Sequence, residues 1–166
     1  MRQLTMAQAI CEAQTQLLES DPRTVIIGAG VGDPKGIFGT TPASLRERFP
    51  DQVFDSPVSE NGITGVCIGA AVAGMRPIHV HQRMDFMLYA MDQIVNNAAK
   101  WHSMFGGQAG NCPLVIRCVI GRGWGQGNQH SQDLTELFKQ IPGLKVYVPW
   151  NAYTAKGLLI DAHRDP

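Results

Sequence analysis

The chain has 166 residues, 44% of them hydrophobic and 17% charged, a composition that excludes intrinsic disorder and a solvated coiled coil. Fourteen Lys plus Arg offset fourteen Asp plus Glu for a formal charge of zero, so no overall field points to nucleic acid or an anionic membrane. The length suits one domain that buries roughly two-thirds of its unfolded surface without disulfide or metal. Cysteines 11, 67, 112 and 118 form no CxxC pair, and buried free thiols in a reducing compartment are expected. No run approaches a membrane span, and Met1-Arg2-Gln3-Leu4 holds no hydrophobic signal core. A cytoplasmic protein is expected.

Two periodicities alternate along the chain. Thr5 to Ser20 predicts a helix opened by a Thr5/Gln8 capping box, with Met6, Ala9, Ile10, Ala13 and Leu17 at helical spacing, and Pro22 stops it. Thr24 to Gly28 is a short apolar run ending in glycine, the mark of a strand buried on both faces. Thr41-Pro42 starts a brief helix and Val53 to Asp55 a short strand. Glu60 to Gly74 predicts a helix whose glycines and alanines (62, 65, 69, 70, 71, 73) allow another backbone close.

Pro77 to Val80 reads as a third strand, followed by a helix from a capping Asp85 to Ala99. Leu114 to Ile120 is the clearest strand. Glycines at 121, 123, 125 and 127 lead to His130, and Ser131 is read as the cap of a helix ending before Pro142. Lys145 to Val148 is a fifth strand, and Asn151 caps a last helix to about His163. This order predicts a three-layer α/β/α domain with a mostly parallel sheet and right-handed crossovers. The last helix leads to no strand, so residues 1–166 read as a domain cut near its boundary.

The motifs narrow the chemistry. Gly28-Ala29-Gly30 follows a strand, but position 33 is Asp33, which weakens a dinucleotide reading. Gly121 to Gly127 lacks the ending of a P-loop and is read as a place where backbone approaches a ligand or subunit closely. His79 and His81 face one side of a strand without a further ligand nearby, and read as satisfied histidines. No GxSxG occurs. Ser59-Glu60-Asn61-Gly62 stands out, because ligands of open parallel sheets sit beyond the carboxyl ends of strands. On residue type alone, the commoner reading of Glu60 is a first-turn glutamate favoured by the helix dipole. Phe86 and His130, however, follow two other strands. Together the three outline a cleft with an acid, an aromatic plate and an imidazole.

The run Asp55-Ser56-Pro57-Val58-Ser59-Glu60-Asn61-Gly62, then Gly69 to Ile78, resembles the beta subunit of thiamine-diphosphate-dependent 2-oxo acid dehydrogenases (E1 component). The likeness continues through Asp85-Phe86, Ala90 to Asn96, Ala98-Ala99-Lys100, Gln129-His130-Ser131-Gln132, Pro142 to Val146, Pro149-Trp150-Asn151 and Ala155 to Leu158. It covers nearly the whole chain and identifies a transketolase-like pyrimidine-binding domain. The resemblance implies that Glu60 hydrogen-bonds the cofactor's aminopyrimidine, that Phe86 stacks on that ring, and that His130 points to the substrate. It also implies part of a structural potassium site at Leu114, Ala162 and Asp165.

The family's diphosphate and Mg²⁺ site lies on an alpha subunit, and no matching Gly-Asp-Gly motif occurs here. The resemblance therefore implies an alpha-type partner, self-association into a heterotetramer, and a lipoyl-bearing E2, with neither nucleic acid nor membrane as partner. It further implies that a carboxy-terminal transketolase domain belongs beyond this chain, and that the chain alone turns over nothing. Two other readings are a truncated, non-catalytic paralogue serving as an assembly module, and a domain of a transketolase-type enzyme. Departures from the family fall at His81-Gln82-Arg83-Met84, Arg122 and Trp124. Arg83 either selects an anionic or polar substrate or makes a subunit contact.

Overall fold

A computed structural model describes residues 3–121, 123 and 125–166; Arg122 and Trp124 lie outside them. Helix α1 (Met6–Ser20) starts at the predicted capping box. Gln8 N donates to Thr5 Oγ1 at 3.2 Å and Thr5 N to Gln8 Oε1 at 2.8 Å, so two of the amides left over at a helix start are satisfied within one turn. Strands β1 (Thr24–Gly28), β2 (Val53–Asp55), β3 (Arg76–His81) and β4 (Val115–Cys118) form one sheet in the order β2-β1-β3-β4, every neighbouring pair parallel. Between β1 and β2 lie a single turn, α2 (Gly36–Gly39), and a short helix, α3 (Ala43–Arg48). Pro42 takes the capping position of α3 instead of its first turn.

Register decides what each face holds. Ile26, Ile78 and Val115 align across β1, β3 and β4 and share a core with Leu17 of α1 and Ile160 of α7 (Ala152–Arg164). Ile27, His79 and Ile116 align on the opposite face, which α4 (Glu60–Val72) covers through Thr64. The domain is thus three-layered, as alternating strands and helices require. Helix α7 opens on its own capping box at Asn151, with Thr154 N donating to Asn151 Oδ1 at 2.8 Å. Helix α4 stops at Val72, two residues before the expected Gly74, because Gly74 takes a left-handed φ of 99° while its N–H bonds Ala71 O. No helix of the described residues is long and apolar enough to cross a membrane.

Three expected elements differ. The helix expected over 85–99 is a 3₁₀ segment (Met84–Ala90), a π segment (Asp92–Asn97), a second 3₁₀ turn (Ala98–Lys100) and then a one-turn α5 (Trp101–Met104). Its buried residues explain the change of winding: Met84, Met87 and Ala90 recur every third residue, Ile94 follows after four and Ala99 after five. The strand expected at 145–148 forms no ladder, and its Val146 packs beside Phe138 and Ile141 instead. The helix expected after Ser131 is only α6 (Thr135–Lys139). Asp133 serves its start by accepting from Thr135 N at 3.1 Å, whereas Ser131 Oγ accepts from Gln126 N.

Candidate active site

The site lies where the carboxyl ends of β1, β2 and β3 meet. Asp55, last in β2, accepts from Gly30 N at 2.8 Å and Ser56 N at 3.0 Å, which ties the loops after β1 and β2 together. Ser59 caps α4 through its backbone, and Glu60 follows as the first helical residue. Its carboxylate makes no hydrogen bond or ion pair among the described residues, although its backbone carbonyl accepts from Thr64 Oγ1 at 2.6 Å.

A cavity of about 360 Å³ opens here, lined by Glu60, Ile63, His79, His81, Phe86 and Tyr89 among others. Phe86 is half-buried and meets the ring of His130 edge-on, centroids 5.2 Å apart at 84°. The structure therefore brings Glu60, Phe86 and His130 to one corner of the fold. Glu60 and Phe86 share the cavity wall, and His130 packs against the phenyl ring.

Asp85 does not cap a helix; its side chain makes no such bond. It is buried and accepts at Oδ1 from Gln132 N (3.3 Å) and Gln132 Nε2 (2.8 Å). That contact anchors the glycine loop bearing His130 to the end of β3. Arg83 grips the same loop, its Nε donating to Gln126 Oε1 at 3.1 Å and its Nη1 to Gln82 O at 2.9 Å, with the guanidinium 4.4 Å over the Phe38 ring. It lines a separate pocket of about 550 Å³ with Lys35 and Phe38, and is not among the residues lining the Glu60 cavity. Gln126 and Gln132 are positioning residues that spacing alone did not single out. Gln132 could have been found within the matched run 129–132; Gln126 carries no local signal. Glycines 123, 125 and 127 have positive φ (88°, 63°, 90°) and nothing within 4 Å of a would-be Cβ. They serve backbone conformation and not a close approach to the other described residues.

The two strand histidines are unlike one another. His79 Nδ1 donates to Ile27 O at 3.1 Å, because a carbonyl only accepts, and Nε2 lies 3.1 Å from Thr64 Oγ1. The Thr64 hydroxyl donates its one proton to Glu60 O and lies 3.1 Å from that ring, so the first turn of α4 sits against β3. His81 corrects the expectation of two satisfied rings, since its Nε2 is buried without a partner.

Burial holds His79 and His163 below the ordinary imidazole range and pushes His81 down to about 3. A depressed imidazole stays neutral in the fold while the unfolded chain takes up a proton, so stability is full above pH 6.5 and falls as acid is added. Each such proton steepens the loss by about 1.4 kcal/mol per pH unit. Thermal unfolding from about pH 7.5 to about pH 5 is expected to show a falling Tm; a flat profile would mean that the rings protonate without cost.

Of the three residues expected at a potassium site, Asp165 and Leu114 have partners within the chain. Asp165 binds Lys145 Nζ through both carboxylate oxygens (2.7 and 2.5 Å), and its carbonyl accepts from Arg76 Nη2 at 2.9 Å. Leu114 N donates to Cys112 O. No group of three or more His, Cys, Asp or Glu suited to a metal occurs among the described residues.

Residues 2–166 match the family model described as transketolase, pyrimidine binding domain. The chain belongs to this family. The beta subunit of acetoin:2,6-dichlorophenolindophenol oxidoreductase from Cupriavidus necator is 44% identical to this pyrimidine-binding domain, over 99% of the chain and 51% of its own length. The beta subunit of the pyruvate dehydrogenase E1 component from Rickettsia felis is 39% identical over 98% of the chain and 50% of its own. The mitochondrial counterpart from Saccharomyces cerevisiae is 40% identical over 98% and 44%. The chain thus spans about half the length of the curated relatives it matches. A solved split-gene transketolase, described as an inactive beta4 tetramer, superposes with a TM-score of 0.75 at 18% identity, covering 99% of this chain and 49% of that one. At that identity the likeness concerns the fold.

Proposed function

We propose that this domain supplies the pyrimidine-binding half of the active site in a two-subunit thiamine-diphosphate-dependent 2-oxo acid dehydrogenase. The observation that carries the reading is Glu60, a carboxylate without a hydrogen bond or ion pair among the described residues, lining the same cavity as Phe86. An acid beside an aromatic plate suits a flat nitrogen heterocycle, and the buried unpaired nitrogen of His81 adds a polar contact that such a ring can meet. The residues therefore fit the aminopyrimidine of thiamine diphosphate. When bound, that cofactor supplies a nucleophilic carbon and an electron sink for cleaving a bond next to a carbonyl.

Glu60 would hold a ring nitrogen of the pyrimidine and exchange a proton there through its carboxyl oxygen. Glutamine could keep the hydrogen bond but could not pass the proton. Phe86 would cover one ring face and exclude water from it. His130, fixed through the Asp85–Gln132 contact, would stand on the substrate side of the phenyl ring and offer an imidazole to the reacting group. Diphosphate and Mg²⁺ would be held by an alpha-type partner. Self-association through the exposed stripe of α4 (Gly62, Val66, Gly69) would complete the assembly, and a lipoyl-bearing protein would take the acyl group. The name of the Cupriavidus relative states acetoin, which makes a hydroxyketone the second substrate to test.

The decisive experiment reconstitutes the complete beta subunit with its alpha-type partner, thiamine diphosphate and Mg²⁺. Pyruvate, branched-chain 2-oxo acids and acetoin are then assayed with an artificial electron acceptor. Turnover is expected only from the mixture. Tight, Mg²⁺-dependent cofactor binding or turnover by this chain alone would overturn the half-site reading.

A further inference from the structure

Strand β3 ends on a polar atom that nothing in the described chain satisfies. His81 is 3% exposed, and its Nε2 has no hydrogen-bond partner. An unpaired buried nitrogen carries the full cost of leaving water. A leucine or phenylalanine would fill the same space without that cost, so the fold alone gives no reason for an imidazole here. The ring is also packed against a fixed neighbour. Its neighbour His79 is pinned by Ile27 O and Thr64 Oγ1, and the two rings meet edge-on with centroids 4.3 Å apart. Both line the cavity that holds Glu60 and Phe86.

We infer that His81 is a ligand-contacting residue, its Nε2 hydrogen-bonding an uncharged polar atom of the heterocycle held beside Glu60. This rests on the reading of that cavity as an aminopyrimidine site and adds a second polar contact to it. Burial and the neighbouring His79 keep the ring neutral at working pH. A neutral imidazole donates at one nitrogen and accepts at the other, so it meets an amine, a hydroxyl or a ring nitrogen without needing a charge. Among the charged groups of the described residues, only Glu60 lines the same cavity.

The test uses the complete beta subunit paired with its alpha-type partner and Mg²⁺, with thiamine diphosphate binding read by calorimetry and stability by thermal melting. His81→Leu is expected to weaken cofactor binding about tenfold while raising the Tm of the unliganded protein; His81→Gln should recover most of the affinity. A purely structural histidine would instead lower Tm and leave affinity unchanged, and that result overturns the inference. Should His81→Leu fail to fold, ¹⁵N-histidine spectra of the unsubstituted complex decide. The His81 Nε2 resonance must move on saturation with thiamine diphosphate, and a stationary signal overturns the inference. Glu60→Gln, run alongside, separates the two ideas. If it leaves turnover intact, the reading of the cavity fails; if it abolishes turnover while His81→Leu binds normally, only the role of His81 fails.

Discussion

Replacing Glu60 with glutamine is expected to lower turnover of the reconstituted enzyme by about 10²- to 10⁴-fold, the range over which a positioned proton-transfer group contributes. The fold should be indifferent to the change. The carboxylate makes no hydrogen bond or ion pair among the described residues, and the first turn of α4 is held through the backbone, by Thr64 Oγ1 on Glu60 O and by the N–H of Ile63 on Ser59 O. Glutamine keeps the length and one acceptor oxygen, so Tm should move by no more than about 2 °C, as for a substitution that breaks no buried contact. Loss of turnover with an unchanged melt assigns Glu60 to the chemistry. Undiminished turnover would remove it from the mechanism and leave the helix-dipole explanation of an acidic first turn.

Gly28→Ala is the stability change of largest expected size. A Cβ at position 28 would lie 2.2 Å from Val80 O and 3.0 Å from Val80 C, both backbone atoms of the adjacent strand. Neither can retreat without parting β1 from β3 at the end that carries the site. A loss of about 3 kcal/mol or more is expected, or roughly 6–12 °C in Tm for a domain of this size. Gly69→Ala supplies the opposite sign. Nothing lies within 4 Å of a Cβ there, and a helix interior gains roughly 0.5–1 kcal/mol when glycine becomes alanine. Equal shifts for the two variants would show that the close approach of the strands is not what position 28 requires.

How far the fold was legible depended on how local its cause was. The Thr5 capping box and the Asn151 cap are complete within four residues and are legible in the sequence, as are β1 and β2 to the residue. That Asn151 also forms a capping box is a finding of the structure. The segment after β3 was misread because its apolar residues satisfy helical spacing only loosely. Its winding is settled by Met84, which takes Leu134 N on its sulfur, and by Asp85, which reaches across to Gln132. The alternation at 145–148 looked like a strand, yet pairing needs a neighbour in register, and β4 finds none there.

For the site, Glu60, Phe86 and His130 could be proposed from three strand ends and a family likeness, because each sits at a recognisable chain position. What joins them is long-range. The Asp85–Gln132 contact spans 47 residues and the Arg83–Gln126 contact 43, and no window of sequence displays either. Arg83, expected to select a polar or anionic substrate or to make a subunit contact, holds its guanidinium against Phe38 over a second pocket.

The amino-acid sequence by itself determined the alternation of strand and helix, the capped helix starts and the chemical types available at each strand end, since these follow from neighbours three or four residues apart. Only the tertiary structure decided that His79 is paired while the His81 Nε2 is left open, and that Glu60 and Phe86 line one cavity. Those outcomes depend on register across the parallel sheet, where a shift of one residue would exchange the two faces and send both imidazoles to the other side.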